Sequence, residues 1–171
     1  MSPQYLFKIV TVGSAAVGKT SIIVRYMTGR FRDYYAPTLG TDFAIKDIRV
    51  DDRGVKLQIW DMGSQDFLGK VREKYYQGAR GVIYMYDMTR RDTFDQLWQW
   101  KKEVDAQTRG PNTIIVANKA DLVNERQVTK EEGEDLARRF FAEHREVSVK
   151  LNQGVDETFL QMGRQILAAT K

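Results

Sequence analysis

The chain of 171 residues contains no cysteine. Disulfides, thiolate metal sites, cysteine nucleophiles and prenyl or palmitoyl groups on these residues are excluded. There is one histidine, His144, which rules out multi-histidine metal sites and leaves a Ser-His-Asp arrangement a single candidate base. The three prolines stand far apart at Pro3, Pro37 and Pro111, and no Pro/Gly/Ser-rich linker, repeat or low-complexity stretch divides the sequence. No apolar run approaches the 18 or more residues of a membrane span. The run Tyr5 to Val12 is short and broken by Lys8, so a signal peptide is not expected. The excess of 27 basic over 23 acidic residues gives only +4, too small and too scattered to suggest nucleic acid. A cytoplasmic protein follows, with no direct membrane insertion by this chain.

What is present is 42% hydrophobic and 29% charged residues, suited to one domain spanning residues 1–171. Short apolar runs alternate with longer amphipathic stretches. Tyr5 to Val12 precedes Ser21 to Met27, Val55 to Trp60 precedes Val71 to Tyr76, and Gly81 to Tyr86 precedes Asp92 to Val104. The alternation continues through Thr113 to Ala117, a helix from Thr129 to Phe141, a brief strand at Glu146 to Ser148 and a last helix from Val155 to Ala169. Strand then helix, repeated, predicts a parallel sheet covered on both faces. Phe43 to Val50 and Val55 to Trp60 are instead joined by Asp51-Asp52-Arg53-Gly54, a turn signal that predicts an antiparallel hairpin at one edge. The expected fold class is therefore α/β: six strands, mostly parallel, one antiparallel edge strand, and helices on both faces. Ligands of such sheets bind at the carboxyl ends of the strands.

Gly13-Ser-Ala-Ala-Val-Gly18-Lys19-Thr20 matches G-x-x-x-x-G-K-[ST] and falls directly between the first strand and the first helix. Glycines let the backbone curl so that successive N–H groups face phosphate oxygens, and the helix N-terminus adds its partial positive charge. Lys19 offers a mobile cation to the β and γ phosphates, and Thr20 a hydroxyl to Mg²⁺. Ala15, Ala16, Val17, Gly18, Lys19, Thr20 and Ser21 are the candidate phosphate contacts. A nucleoside triphosphate is indicated, with the base still open.

Ile114-Ile-Val-Ala-Asn118-Lys119-Ala120-Asp121 ends the fifth strand with N-K-x-D at the same sheet edge. The Asp121 carboxylate only accepts, so it suits the N1–H and N2 amine of guanine. Adenine has an acceptor at N1 and no N2 amine. A site built to pair a ligand donor discriminates by roughly 10⁴–10⁵ against an analogue lacking it. Lys119 can lay its methylene stem over the base, and Asn118 can tie this segment to the phosphate loop.

With these motifs the sequence resembles the Ras superfamily of small GTPases, most of all its Rab-like branch, from Leu6 to the last helix. Phe31 matches the aromatic that closes over guanine, and Ser148-Val149-Lys150 the S-A-K loop whose backbone N–H contacts the base. Thr38-Leu-Gly-Thr-Asp-Phe43, Leu57-Gln-Ile-Trp60 and Tyr75-Tyr-Gln-Gly-Ala79 are similar to the Rab segments T-I-G-x-D-F, L-Q-I-W and Y-Y-R-G-A. The resemblance implies a P-loop G domain that binds GTP and GDP with Mg²⁺ held by Thr20, by Thr38 and, through water, by Asp61. It implies Gln65 as the catalytic residue that orients the attacking water, and Tyr35 and Ser64 among the nucleotide contacts. Phe43, Trp60 and Tyr75 would form the aromatic cluster read by effectors; plain core packing is the other reading. A slow monomeric switch follows, served by an exchange factor, an activating protein and effectors, in membrane trafficking or related signalling. Attachment to a membrane would need a lipidated tail or partner outside this chain.

Departures from the pattern are concentrated in Asp61-Met-Gly-Ser-Gln65-Asp66 and Phe67-Leu-Gly-Lys-Val-Arg72. Ser64 stands where the family has the glycine that senses the γ-phosphate. If the active arrangement needs φ > 0 there, strain of about 1–2 kcal/mol would weaken coupling to the loop. The alternative function is thus a guanine-nucleotide-binding scaffold with little or no hydrolysis. The position where Gα subunits carry an internal arginine is Tyr35 here, so an arginine from an activating partner would add roughly 10³–10⁵ in rate.

Three other features carry expectations. Phe94, Leu97, Trp100 and Val104 are spaced as one packed helix face, leaving Trp98 as a partner surface or a buried edge. Phe159, Met162, Ile166 and Leu167 share the core side of the last helix. His144 is expected at the surface, leading into the last strand.

Overall fold

Every residue of Gly81–Asp87 is buried, as a strand must be when helices cover both faces of its sheet. A computed structural model describes residues 3–31, 41–64 and 68–170, with backbone only at 41 and 42. Tyr35, Thr38 and Gln65 lie outside the described residues. The strands are β1 (Tyr5–Val12), β2 (Thr41–Val50), β3 (Arg53–Met62), β4 (Gly81–Asp87), β5 (Asn112–Asn118) and β6 (Glu143–Glu146). The helices are α1 (Lys19–Thr28), α2 (Gly69–Tyr76), α3 (Arg91–Asp95), α4 (Leu97–Asp105), α5 (Lys130–Arg139) and α6 (Val155–Ala169). The strand order is β2-β3-β1-β4-β5-β6. All pairings are parallel except β2 with β3, so the expected six-stranded architecture is what the chain adopts.

Two apolar layers hold the helices on. Phe7, Ile9, Leu57, Ile83 and Ile114 meet Ile22 of α1 and Phe159, Met162 and Ile166 of α6 on one face. Val10, Val82, Tyr84 and Ile115 meet Tyr76, Leu97, Val104 and Leu136 on the other. The α6 trio is fully buried, each side chain contributing about 1.5–3 kcal/mol relative to exposure, and Phe159 stacks on Tyr26 at 4.2 Å. Leu167 packs only partly. At the start of α5, Thr129 and Glu132 form a reciprocal capping box, which satisfies two otherwise orphaned backbone donors.

Four details depart from the sequence expectation. The hairpin turn is two residues long: Asp51 (φ 49°) and Asp52 (φ 68°) both take the left-handed region of a type I′ turn, while Gly54 pairs with Arg49 inside the ladder. The helix expected from Asp92 to Val104 is divided into α3 and α4 at Gln96. The last strand lies at Glu143–Glu146 rather than Glu146–Ser148. Its sequence Glu-His-Arg-Glu carries no apolar alternation because every residue of this edge strand is half-buried, whereas Val147 and Val149 are buried in the loop that follows.

His144 is the fourth. It belongs to β6, half-buried, with Nε2 3.0 Å from the Tyr86 hydroxyl. The ring fits only because α5 has glycine opposite: a Cβ on Gly133 would stand 2.2 Å from Nε2 and 2.6 Å from the Tyr86 oxygen. Burial pushes the imidazole pKa below its ordinary value, with Glu146 and Glu134 opposing and Lys130 and Arg126 adding to the shift. A depressed pKa in the folded state means the unfolded chain takes the proton first. The stability His144 contributes is therefore present above its unfolded pKa near 6.5 and lost as pH falls through the folded value. Urea midpoints are expected to fall between pH 7.5 and 5.5 more steeply in the parent protein than in His144→Gln.

Candidate nucleotide-binding site

The phosphate-loop residues bridge the end of β1 and the start of α1. Gly18 caps α1 with φ 108°, and a Cβ there would stand 2.4 Å from Asn118 Nδ2; only glycine permits both the left-handed turn and the close approach. Ala16 takes φ 64°, a conformation that costs an alanine of order 1 kcal/mol. Lys19 is buried and folds back over the loop, donating from Nζ to the carbonyls of Gly13 (2.8 Å) and Ser14 (2.9 Å). Burial lowers its pKa to about 8, Asp61 opposing and Arg72 adding. The ammonium is thus poorly solvated and preorganised for an anion.

Thr20 donates its hydroxyl to Asp61 Oδ2, bringing together the two candidate metal residues from the start of α1 and the end of β3. Among the described residues no group of three or more acidic or histidine side chains could hold a metal. One hydroxyl and one carboxylate nevertheless fit Mg²⁺, which keeps several waters and takes remaining ligands from substrate phosphates. Ser64 is not among the residues with positive φ, so the strain expected there is not stored in this structure.

Asn118 joins three segments, donating from Nδ2 to Val17 O (3.0 Å) and accepting at Oδ1 from the Val149 N–H (3.2 Å). That N–H, expected to meet the base, is thus directed at Asn118. Asp121 Oδ1 accepts from the Ser148 hydroxyl at 2.8 Å, which fixes the carboxylate against the 148–150 loop. Lys119 has φ 70° and pairs through Nζ with Asp87 Oδ2 at 2.7 Å. Phe31 packs against the core edge beside α1, with the Arg25 guanidinium 5.7 Å from its ring centre.

Two contributors were missed by sequence reasoning. Asp87 is fully buried at the end of β4, holds Thr89 through its N–H and hydroxyl, and anchors Lys119. An acid closing an otherwise apolar strand was the available signal. Arg25 donates to Val149 O (3.0 Å) and Lys150 O (2.7 Å), tying α1 to the 148–150 loop across more than a hundred residues. No local pattern announces that contact.

The site thus gathers the ends of β1, β3, β4 and β5 at one sheet edge. The family model for the Ras family matches residues 8–168. This chain belongs to the Ras family. It is a Rab-like small GTPase: it binds GTP and GDP and hydrolyses GTP. It is similar to the Ras-related protein RabC of Dictyostelium discoideum, 38% identical over 174 residues covering 100% of this chain and 89% of that protein. It is 41% identical to the Ras-related protein RABA6b of Arabidopsis thaliana over 161 residues, 93% of this chain and 70% of that one. With the GTP-binding protein ypt1 of Schizosaccharomyces pombe it shares 35% identity over 169 residues, 97% and 83% of the two chains. In this Rab-like chain the Phe43, Trp60 and Tyr75 rings form a continuous row of tilted contacts, with centroids 4.7 and 4.9 Å apart. Phe43 is 47% exposed, while Trp60 and Tyr75 are partly buried against the core. Trp98 is half-exposed and sets its edge against Phe140 at 4.7 Å.

Proposed function

We propose that the 171 residues act as one Mg²⁺-dependent GTP/GDP switch, with slow intrinsic hydrolysis and an outer aromatic cluster presented to effectors. Lys19 binds the β and γ phosphates. Thr20, Thr38 and, through water, Asp61 would hold Mg²⁺, which would supply positive charge to the phosphates. Gln65 orients the attacking water, Asp121 reads the guanine donors, and Lys119, steered by Asp87, covers one face of the base. The observation that carries this reading is Asn118, whose two hydrogen bonds fasten the base-side loop to the phosphate loop. Tyr35, Ser64 and the Ser148-Val149-Lys150 loop complete the nucleotide's surroundings.

An exchange factor, an activating protein and effectors act on a monomer of this chain, and the Rab and ypt1 names of its relatives support a role in membrane trafficking. No helix among the described residues is long and apolar enough to cross a membrane. A peripheral membrane association would rest on a lipidated tail or a partner. The scaffold alternative rested on the atypical Asp61-Met-Gly-Ser-Gln65 segment, whose described non-glycine residues have no positive φ.

Single-turnover hydrolysis of bound GTP tests the proposal. A slow rate is expected in Mg²⁺, lowered at least tenfold by Gln65→Leu and abolished by chelation. Equal rates in all three conditions would contradict it.

A further inference from the structure

Arg90 lies between β4 and α3 on a backbone pinned from both sides. Its N–H donates to Asp87 O (2.9 Å), and its carbonyl accepts from the Thr93 N–H (3.1 Å) and hydroxyl (2.7 Å). Asp87 and Thr93 are both fully buried. From this fixed base the guanidinium reaches the phosphate loop, where Nη1 donates to the Ala15 carbonyl at 3.3 Å. Lys19 Nζ holds the two preceding carbonyls, those of Gly13 and Ser14. Three consecutive carbonyls of the loop are thus taken by two cations arriving from different elements. Asp92 is 3.7 Å from the guanidinium and exposed, and so loose a pair in solvent leaves most of the positive charge in place.

We propose that Arg90 is a catalytic residue, an arginine supplied in cis to the phosphates during GTP hydrolysis. The proposal rests on the GTPase reading of this site. In that reaction the water oxygen bonds to the γ-phosphorus while the bond from phosphorus to the β–γ bridging oxygen breaks. The electron pair leaves on the β-phosphate of GDP, and the water proton passes to the released phosphate. Negative charge accumulates on the leaving oxygens, where a guanidinium acts. Exchanging the neutral Ala15 carbonyl for a charged phosphate oxygen roughly doubles the strength of the hydrogen bond, and the planar fork can span two such oxygens. Because the backbone at 90 is already fixed, only the side chain has to move from the Ala15 carbonyl to the phosphate oxygens. Tyr35 stands at the position where Gα subunits carry an internal arginine, and Arg90 approaches the loop from a different element.

The test uses the whole chain loaded with GTP, in the forms Arg90→Ala and Arg90→Lys, with no partner protein. Single-turnover hydrolysis is expected to fall roughly 20-fold in Arg90→Ala, the scale of a cis arginine, with a smaller loss in Arg90→Lys. A second readout is the complex with GDP, Mg²⁺ and aluminium fluoride, followed by ¹⁹F NMR. The parent protein is expected to form it alone and Arg90→Ala to lose it, while GDP affinity stays unchanged. Unaltered hydrolysis, or an equal aluminium fluoride complex, in Arg90→Ala overturns the proposal. So does a loss of GDP affinity that matches the loss of rate, since Arg90 would then only hold the loop. If Gln65→Leu slows hydrolysis and Arg90→Ala does not, the failure belongs to Arg90 alone; if neither does, the reading of the site itself fails.

Discussion

Asp121→Asn is expected to lower GDP and GTP affinity by roughly 10⁴ and to raise affinity for xanthine nucleotides. The carboxylate can only accept, and guanine offers it two donors, N1–H and the N2 amine. Asparagine turns one acceptor into an amide donor, which faces the N2 amine of guanine but pairs with the C2 carbonyl of xanthine. The Ser148 hydroxyl now donates to Asp121 Oδ1 at 2.8 Å and can donate equally to an asparagine carbonyl, so the loop keeps its anchor and the change is confined to the base. Displacement of a fluorescent GDP analogue by GDP, xanthosine diphosphate and ADP measures the exchange of preference. An unchanged preference for GDP in the variant would place base selection elsewhere.

Arg72→Ala is expected to destabilise the fold by about 3 kcal/mol or more, because it strips the partner from a buried charge network. The Arg72 side chain is 4% exposed and links its own helix, α2, to α4 and to Gly63 at the end of β3. Its Nε and Nη2 donate to Glu103 Oε2 (2.9 Å) and Oε1 (2.8 Å) in a bidentate pair, and Nη1 donates to Gly63 O (2.8 Å). The guanidinium carbon lies 4.8 Å from the Trp100 ring centre, and the Tyr76 hydroxyl donates to the same Glu103 oxygen. Burial, with the Glu103 charge, pushes that phenol pKa far above its ordinary value, so Tyr76 remains a donor. This network fastens the end of β3 and the end of α2 to α4, and truncation would leave the Glu103 carboxylate and the Gly63 carbonyl without the guanidinium. Urea unfolding of Arg72→Ala, Glu103→Gln and the double variant should show a coupling energy of about 2 kcal/mol. Losses under 1 kcal/mol, adding independently, would show that the pair contributes little.

The parts of this molecule that were legible in its sequence are those with local grammar. The phosphate loop and the N-K-x-D segment announce themselves by fixed spacing next to apolar runs. Tyr5–Val12 and Val155–Ala169 were bounded as observed: the first is a short, mostly apolar run, buried on both faces from Ile9 onward, and the burial of the second follows the helix period. Glu143–Glu146 was misplaced because a short edge strand, half-buried throughout, needs no alternation; the apolar residues just after it serve the loop core instead. The hairpin turn was drawn too long because Gly54 looks like its pivot, while Asp51 and Asp52 supply the positive φ themselves. His144 was assigned to solvent for want of any sign that Tyr86 and Gly133 would form its pocket. Arg25, Arg72, Asp87 and Arg90 act across long sequence separations, through contacts that exist only once the sheet edge is assembled. They are long or charged side chains whose default reading is a solvated surface; only Asp87, closing an apolar strand, carried a local signal, and the partners of the three arginines are set by the tertiary fold.

Calorimetric titration of the nucleotide-stripped protein with GDP and with ADP, in Mg²⁺, tests the central claim most directly. The arrangement of Asp121, Asn118 and Lys19 predicts tight binding of GDP with no measurable heat from ADP, and weaker GDP binding when Mg²⁺ is chelated. Equal affinity for the two nucleotides would contradict a guanine site at the end of β5, and with it the assignment of this edge of the sheet as the switch.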